Sequence, residues 1–255
     1  MGKLTGRHAL ITGGGSGIGA AIARALADEG AAVSVAGRRR EQIEAVAAGV
    51  PRGFAVTADV TREADCAAMV ASARGALGPI DILVVNAGAA RSAPVSAIDL
   101  DHWQAMIDVN LTGAFLTVKA ALADVTRADA KSPTIVFIAS TAGIKGYPYV
   151  AAYCAAKHGV VGLARALAIE LAQRGVTVNA VCPGFTETDL LEQSISTIVA
   201  KTGRLPQAIR HELTRANPQG RLVTPEEVAQ TVVWLCSPGA RAITGQAISV
   251  SGGEV

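Results

Sequence analysis

A chain of 255 residues that is half hydrophobic, only 17% charged and close to neutral at +2 can bury one large core. That balance excludes the dense basic face of a nucleic-acid binder, and no long uninterrupted apolar span points to a membrane helix. Cys66, Cys154, Cys182 and Cys236 are scattered without paired spacing, so neither a metal site nor a disulfide framework is expected. Residues 1–6 carry no apolar run of the signal-peptide kind, and the expectation is a soluble protein of the cytoplasm.

Taken in order, strand-like and helix-like segments alternate. Residues 8–12 read as a short apolar strand, 18–29 as an amphipathic helix, 32–36 as a strand and 40–48 as a helix. A strand at 53–57, a helix at 62–76 and a buried strand at 80–85 follow. A long helix at 100–123, a strand at 134–139, a helix at 151–173 and a strand at 176–181 continue the rhythm. It breaks at 187–222, where polar helical pieces are interrupted by Gly203, Pro206 and Pro218, and resumes with a helix at 225–235 and a strand at 247–250. Such alternation with short turns predicts an α/β fold: one Rossmann-type, doubly wound parallel sheet of about seven strands with helices on both faces. No linker or repeat divides residues 1–255, and 187–222 is expected to be a substrate lid.

In such sheets ligands bind where the strands end, near the point where strand order reverses. The polar residues of this chain collect at those ends. Thr12-Gly13-Gly14-Gly15-Ser16-Gly17-Ile18-Gly19 joins the first strand to the first helix. There a tight backbone can approach a pyrophosphate and offer it the helix N-terminus. After the second strand comes Gly37-Arg38-Arg39, with no acid before Glu41. A carboxylate there would hold the ribose hydroxyls of NAD. Arg38 can instead fork onto a 2′-phosphate, or it is a solvated turn residue. Asp59, in Ala58-Asp59-Val60, either receives an adenine amino group or caps a helix. Asn86-Ala87-Gly88 ends the fourth strand, Ser140 the fifth, and Pro183-Gly184-Phe185-Thr186-Glu187-Thr188 the sixth. Asn110, a poor helix former in the middle of a helix, predicts a kink or a buried hydrogen-bonding role.

Tyr153 and Lys157 are four apart on a predicted helix and share a face. A free phenol titrates near ~10; a fixed cation nearby would lower that value and make Tyr153 usable in proton transfer. Alone, the pair is most simply a solvated helix face. The row of polar strand ends is what reverses that reading.

Together, residues 12–19, Asn86-Ala87-Gly88, Asn110, Ser140, Tyr153 with Lys157, and Pro183-Gly184 resemble the short-chain dehydrogenase/reductase family over essentially the whole chain. The resemblance implies an NAD(P)-dependent oxidoreductase moving a hydride between nicotinamide and a carbonyl or secondary alcohol. It implies that Ser140 hydrogen-bonds the substrate oxygen and Tyr153 passes the proton. Lys157 would hold the cofactor ribose and lower the Tyr153 pKa, and Asn110 would position a water leading to Lys157. Gly13, Gly15, Ser16, Gly17, Ile18, Gly19, Arg38, Asp59, Val60, Asn86, Ala87, Gly88, Pro183, Gly184, Thr186 and Thr188 would line the cofactor, together with Tyr153 and Lys157. The family's first strand-end asparagine is Val85 here, and its aspartate before the last glycine pair is Ser251. NADP is expected, with NAD as the alternative, because Arg38 stands where an acid would. Ile144, Tyr147 and Phe185 suggest a mainly apolar substrate pocket. The resemblance leans towards the 3-oxoacyl and polyketide ketoreductase branch, with an alicyclic or aromatic ketone as the alternative, and it implies a homotetramer. A nucleotide-sensing regulator or a scaffold would have less need of the intact Tyr153–Lys157 pair.

Overall fold

The computed structural model describes residues 2–255. Seven parallel strands form one sheet in the order β3-β2-β1-β4-β5-β6-β7. They are β1 (His8–Thr12), β2 (Ala32–Gly37), β3 (Gly53–Thr57), β4 (Ile82–Val85), β5 (Thr134–Ile138), β6 (Thr177–Pro183) and β7 (Ala247–Val250). Strands β1, β4, β5 and β6 are buried along their whole length, whereas β3 and β7, at the edges, are partly open. Continuous apolar runs rather than alternation are what a sheet covered on both faces demands.

The covering helices fall into two layers. Helices α1 (Gly17–Asp28), α2 (Arg40–Ala48) and α9 (Pro225–Cys236) build the core on one face with Ile11, Ile22, Leu26 and Val232. On the other face α3 (Glu63–Leu77), α5 (Gly113–Val125) and α6 (Ala151–Leu171) pack around Leu10, Leu83, Ile135 and Phe137. Strand order reverses between β1 and β4, so a crevice opens at their carboxyl ends.

The long helix expected at 100–123 is in fact interrupted. Helix α4 (Leu100–Ile107) passes through a wider π-turn at Asp108–Thr112 before α5 begins. Asn110 lies within that turn, 1% exposed, and its amide donates to Met106 O at 3.0 Å and to Ala89 O at 2.9 Å. A side chain that bonds outside the helix widens the ladder locally, and the polar interruption read in the sequence has this cause. Within Leu100–Val125 one window reaches a mean hydropathy of 1.3, long and apolar enough to cross a membrane by length and composition, although Asp101, Asp108, Lys119 and Asp124 interrupt the stretch. In this fold it packs instead on α3 and α6, as core helices do.

Between β6 and α9 stand α7 (Asp189–Thr202) and α8 (Pro206–Arg215), which share a small core of Leu191, Ile195, Ile209 and Leu222 with Phe185 against it. Their base is pinned where Val223 N donates to Phe185 O at 2.9 Å and Glu187 N to Val223 O at 3.0 Å.

Candidate active site

The crevice is held together by side chains at the ends of β1 and β4. Thr12 Oγ1 accepts from Asn86 N at 3.1 Å and from Ala87 N at 3.2 Å, while Asn86 Nδ2 donates to Thr12 O and Gly13 O, both at 3.0 Å. Gly13 has φ +64°, and a Cβ there would meet Ala87 Cα at 2.8 Å. Only glycine meets both demands. At Gly19 a Cβ would lie 2.3 Å from Gly13 O, so the helix could not close onto the loop.

This cradle suits a dinucleotide. No side chain caps the start of α1 and its first turn carries no acid, so its leading N–H groups are left for an anionic ligand. Thr188, which caps α7 by accepting from Leu191 N, lies against Gly17: a Cβ there would come 3.1 Å from Thr188 Cγ2. The glycine loop and the β6 loop therefore face each other, with Pro183, Gly184 and Thr186 alongside. Gly184 N donates to Val250 O at 3.1 Å, and Thr186 Oγ1 to Gly184 O at 2.9 Å.

Beyond β2, the arginine that reaches the glycine loop is Arg39, whose Nη2 donates to Ser16 Oγ at 3.0 Å. Sequence reading singled out Arg38 and credited Ser16 with no charge. Tertiary folding supplies one through the neighbouring residue. Arg38 instead lies near Asp59, where its charge helps to hold the carboxylate below the usual range. The larger causes there are local, led by the backbone N–H of Thr61, which Asp59 accepts at 3.0 Å. Val60 is buried, and a Cβ on Gly113 would meet its Cγ2 at 2.8 Å, so it packs under the π-turn end of α5.

Around the opposite end of the crevice, Asn110, Gly88 and Lys157 converge. A Cβ on Gly88 would lie 2.7 Å from Asn110 Oδ1 and 3.6 Å from Lys157 Nζ. Asn110 grips the Ala89 backbone from both sides, accepting from its N–H at 3.2 Å as well as donating to its carbonyl. Lys157, 5% exposed, donates to Ile138 O at 2.9 Å, and burial pushes its ammonium down to about 8, against a smaller upward pull from Cys182. Its Nζ stands 5.7 Å from the Tyr153 ring centre.

Tyr153 departs from the sequence expectation. Burial pushes its phenol up to about 12, the Ser140 hydroxyl pulling only partly the other way. The Lys157 ammonium is turned towards Ile138 O, and desolvation outweighs any charge effect on the phenol. Ser140 Oγ also accepts from Ala142 N at 3.1 Å, which fixes the turn after β5. Three further polar residues, not singled out in the sequence as a group, gather beside this turn: Lys145, Tyr147 and Glu254. Glu254 is far away in the chain, and nothing local marks it.

A nucleotide cradle at the switch point of a parallel sheet, with a phenol, a hydroxyl and an ammonium at the adjoining strand ends, defines a dinucleotide-dependent oxidoreductase. Comparison with known proteins makes this specific. A family model described as enoyl-(acyl carrier protein) reductase matches residues 13–254. The 2-(S)-hydroxypropyl-CoM dehydrogenase 3 of Xanthobacter autotrophicus is 42% identical over 248 residues, 95% of this chain and 94% of that one. A D-beta-hydroxybutyrate dehydrogenase of Cupriavidus necator is 37% identical over 258 residues, 99% of each chain. The crystal structure of a variant actinorhodin polyketide ketoreductase with NADPH superposes with a TM-score of 0.93 at 38% identity, covering 100% of this chain and 99% of that one. The chain belongs to the short-chain dehydrogenase/reductase family, and it is an NAD(P)-dependent oxidoreductase acting on carbonyl compounds or alcohols.

Proposed function

We propose that this enzyme reduces a ketone carried on an extended polar group, of the 3-oxoacyl thioester kind, using NADPH. The observation that carries the reading is the gathering of the Tyr153 phenol, Ser140 and Lys157 at the end of the crevice, with the phenol protonated at neutral pH. At neutral pH such a phenol is a donor, and reduction of a carbonyl needs a donor at its oxygen. Bound nicotinamide would supply the hydride. Ser140 would hold the carbonyl oxygen, and Tyr153 would deliver the proton. Lys157 would turn from Ile138 O to bind the ribose, keeping its positive charge beside Tyr153. Asn110, which clamps Ala89, would keep Gly88 and Lys157 in register.

The substrate space has two parts. Ile144, Tyr147 and Phe185 form an apolar wall, with the last two rings edge-on at 6.0 Å between centres. A separate cavity of about 720 Å³ between α7 and residues 90–105 is lined by Arg91, Asp99, Asp101, His102, Gln193 and Lys201 among others. An acyl chain with a polar carrier suits both parts better than a plain alicyclic ketone, which would fill the first alone.

For cofactor choice, Arg38 and Arg39 both lie on the β2–α2 turn with no acid before Glu41, and Arg39 is docked on Ser16. Planar, permanently charged donors on this side favour a 2′-phosphate. A nicotinamide absorbance assay over 3-oxoacyl thioesters, cyclic ketones and secondary alcohols tests the whole reading. NADPH-dependent reduction of the thioesters with the highest kcat/KM is expected. Turnover confined to small cyclic ketones would overturn the substrate class, and no turnover at all the function.

A further inference from the structure

The carboxylate of Glu254 is buried, with its side chain only 2% exposed, although it comes from the segment after β7. One oxygen, Oε1, accepts from the Tyr147 hydroxyl and lies 3.2 Å from Lys145 Nζ. Lys145 also donates to the Glu254 backbone carbonyl at 3.2 Å, and its ammonium sits 5.1 Å from the Tyr147 ring centre. Tyr147 Oη shares a further hydrogen bond, 2.6 Å long, with Thr141 Oγ1, next to Ser140. The other oxygen, Oε2, is buried without a partner, and a Cβ on Gly184 would lie 3.0 Å from it. Glu254 therefore touches the loop after β5 through Tyr147 and Lys145, and the loop after β6 at Gly184. The two loops it joins carry the two rings of the proposed apolar wall.

We infer that Glu254 is a positioning residue that sets substrate specificity by holding Tyr147 edge-on to Phe185. This rests on the reading of these strand ends as the substrate side. With its hydroxyl drawn towards Thr141 and Glu254, Tyr147 offers the substrate a ring rather than a polar group. A buried carboxylate with a bonded phenol and ammonium is costly to assemble, and an apolar contact alone would hold the loop more cheaply. What the carboxylate adds is direction: it fixes where the phenol oxygen points, and so the tilt of the ring.

The test is a cycle of Glu254→Ala, Tyr147→Phe and their combination, with Glu254→Gln as the conservative variant. Glu254→Ala is expected to raise KM for the ketone about tenfold, the effect of one lost hydrogen bond to a charged group, with kcat little changed. NADPH affinity, read by fluorescence, should stay at the wild-type value. Glu254→Gln, which keeps an oxygen for the Tyr147 hydroxyl, should restore most of KM. Because Glu254 acts through Tyr147, the double variant should be no worse than the poorer single one. Additive losses, an unchanged KM in Glu254→Ala, or NADPH affinity falling in step with KM would each overturn the inference.

Ultraviolet titration of the phenols reads the same contact without turnover. Burial and then the Glu254 carboxylate push the Tyr147 phenol upward, with Lys145 and Cys154 the other titratable groups around it. In Glu254→Gln one phenol should ionise at lower pH, and an unshifted titration would sink the proposal. If the phenol shifts as expected in Glu254→Gln while the wild type reduces no carbonyl, the function is overturned and the Glu254–Tyr147 contact stands.

Discussion

Burial sets the protonation of the two groups on which proton transfer would depend, and it moves them in opposite directions. The Tyr153 phenol is pushed up to about 12 and the Lys157 ammonium down to about 8. In the reducing direction Tyr153 must be protonated, which it remains throughout the neutral range. Tyr153→Phe should therefore lower kcat by at least about a hundredfold with cofactor affinity nearly unchanged, since general acid catalysis contributes factors of that order. Near wild-type turnover in this variant would remove the mechanism. For Lys157 the consequence is one of stability. Its folded value lies below the ordinary 10.5, so beneath about pH 8 the folded protein holds a buried charge that the unfolded chain hydrates freely. Stability should rise as pH climbs from about 8 towards 10.5, where the unfolded state binds the extra proton. Lys157→Met should accordingly abolish activity yet raise stability at pH 7 by roughly 1–2 kcal/mol, or Tm by roughly 2–8 °C, part of the gain being offset by the lost bond to Ile138 O. A destabilised Lys157→Met at pH 7 would contradict this.

Elements were legible in the sequence wherever periodicity and punctuation agreed. The seven strands stand within a residue or two of their expected places, because each is an apolar run bounded by turn residues. Asn110 announced an irregularity, although only the fold shows it as a π-turn gripping Ala89. Contacts between elements were not legible. That Arg39 rather than Arg38 would dock on Ser16 depends on how α2 leaves its strand, and that Glu254 would reach Tyr147 depends on the whole sheet. The β2–α2 turn carries its own prediction. Gly37→Asp/Arg38→Leu places a carboxylate where ribose hydroxyls would be held and removes one charge. It should shift the kcat/KM ratio from NADPH to NADH by about ten- to a hundredfold, the worth of one charge-assisted bond. Arg39→Leu should weaken NADPH use as well, because it removes the guanidinium seated on the glycine loop. An unaltered ratio in both variants, or a wild type preferring NADH tenfold, would make this turn a solvated one.

At the scale of the whole molecule, the surface carries more apolar area than one chain needs. Trp103 and Phe115 on α4 and α5 are 38% and 47% exposed, and Ile169 on α6 is 81% exposed. Only 39% of the most apolar window within Leu100–Val125 is buried, although its composition would suit a fully covered helix. On the opposite face of the sheet, Trp234 on α9 is 46% exposed, and the edge strand β7 is only partly buried. Exposed large apolar groups on helices that pack together suit an association surface, and an incompletely covered edge strand invites pairing. Two separate faces of this kind, each able to meet its own copy, generate a closed tetramer with dihedral symmetry, whereas one alone would stop at a dimer. A homotetramer is therefore the expected state. Light scattering at micromolar concentration should give about four times the chain mass of 25.9 kDa. Phe115→Glu/Ile169→Glu should leave dimers held by the α9–β7 face, and Trp234→Glu should leave dimers held by the other. Burying an unpaired carboxylate against an apolar partner costs far more than either contact returns, so each substitution should open its own interface only. A wild-type monomer, or a tetramer indifferent to both sets of substitutions, would show that these faces meet something other than a copy of this chain.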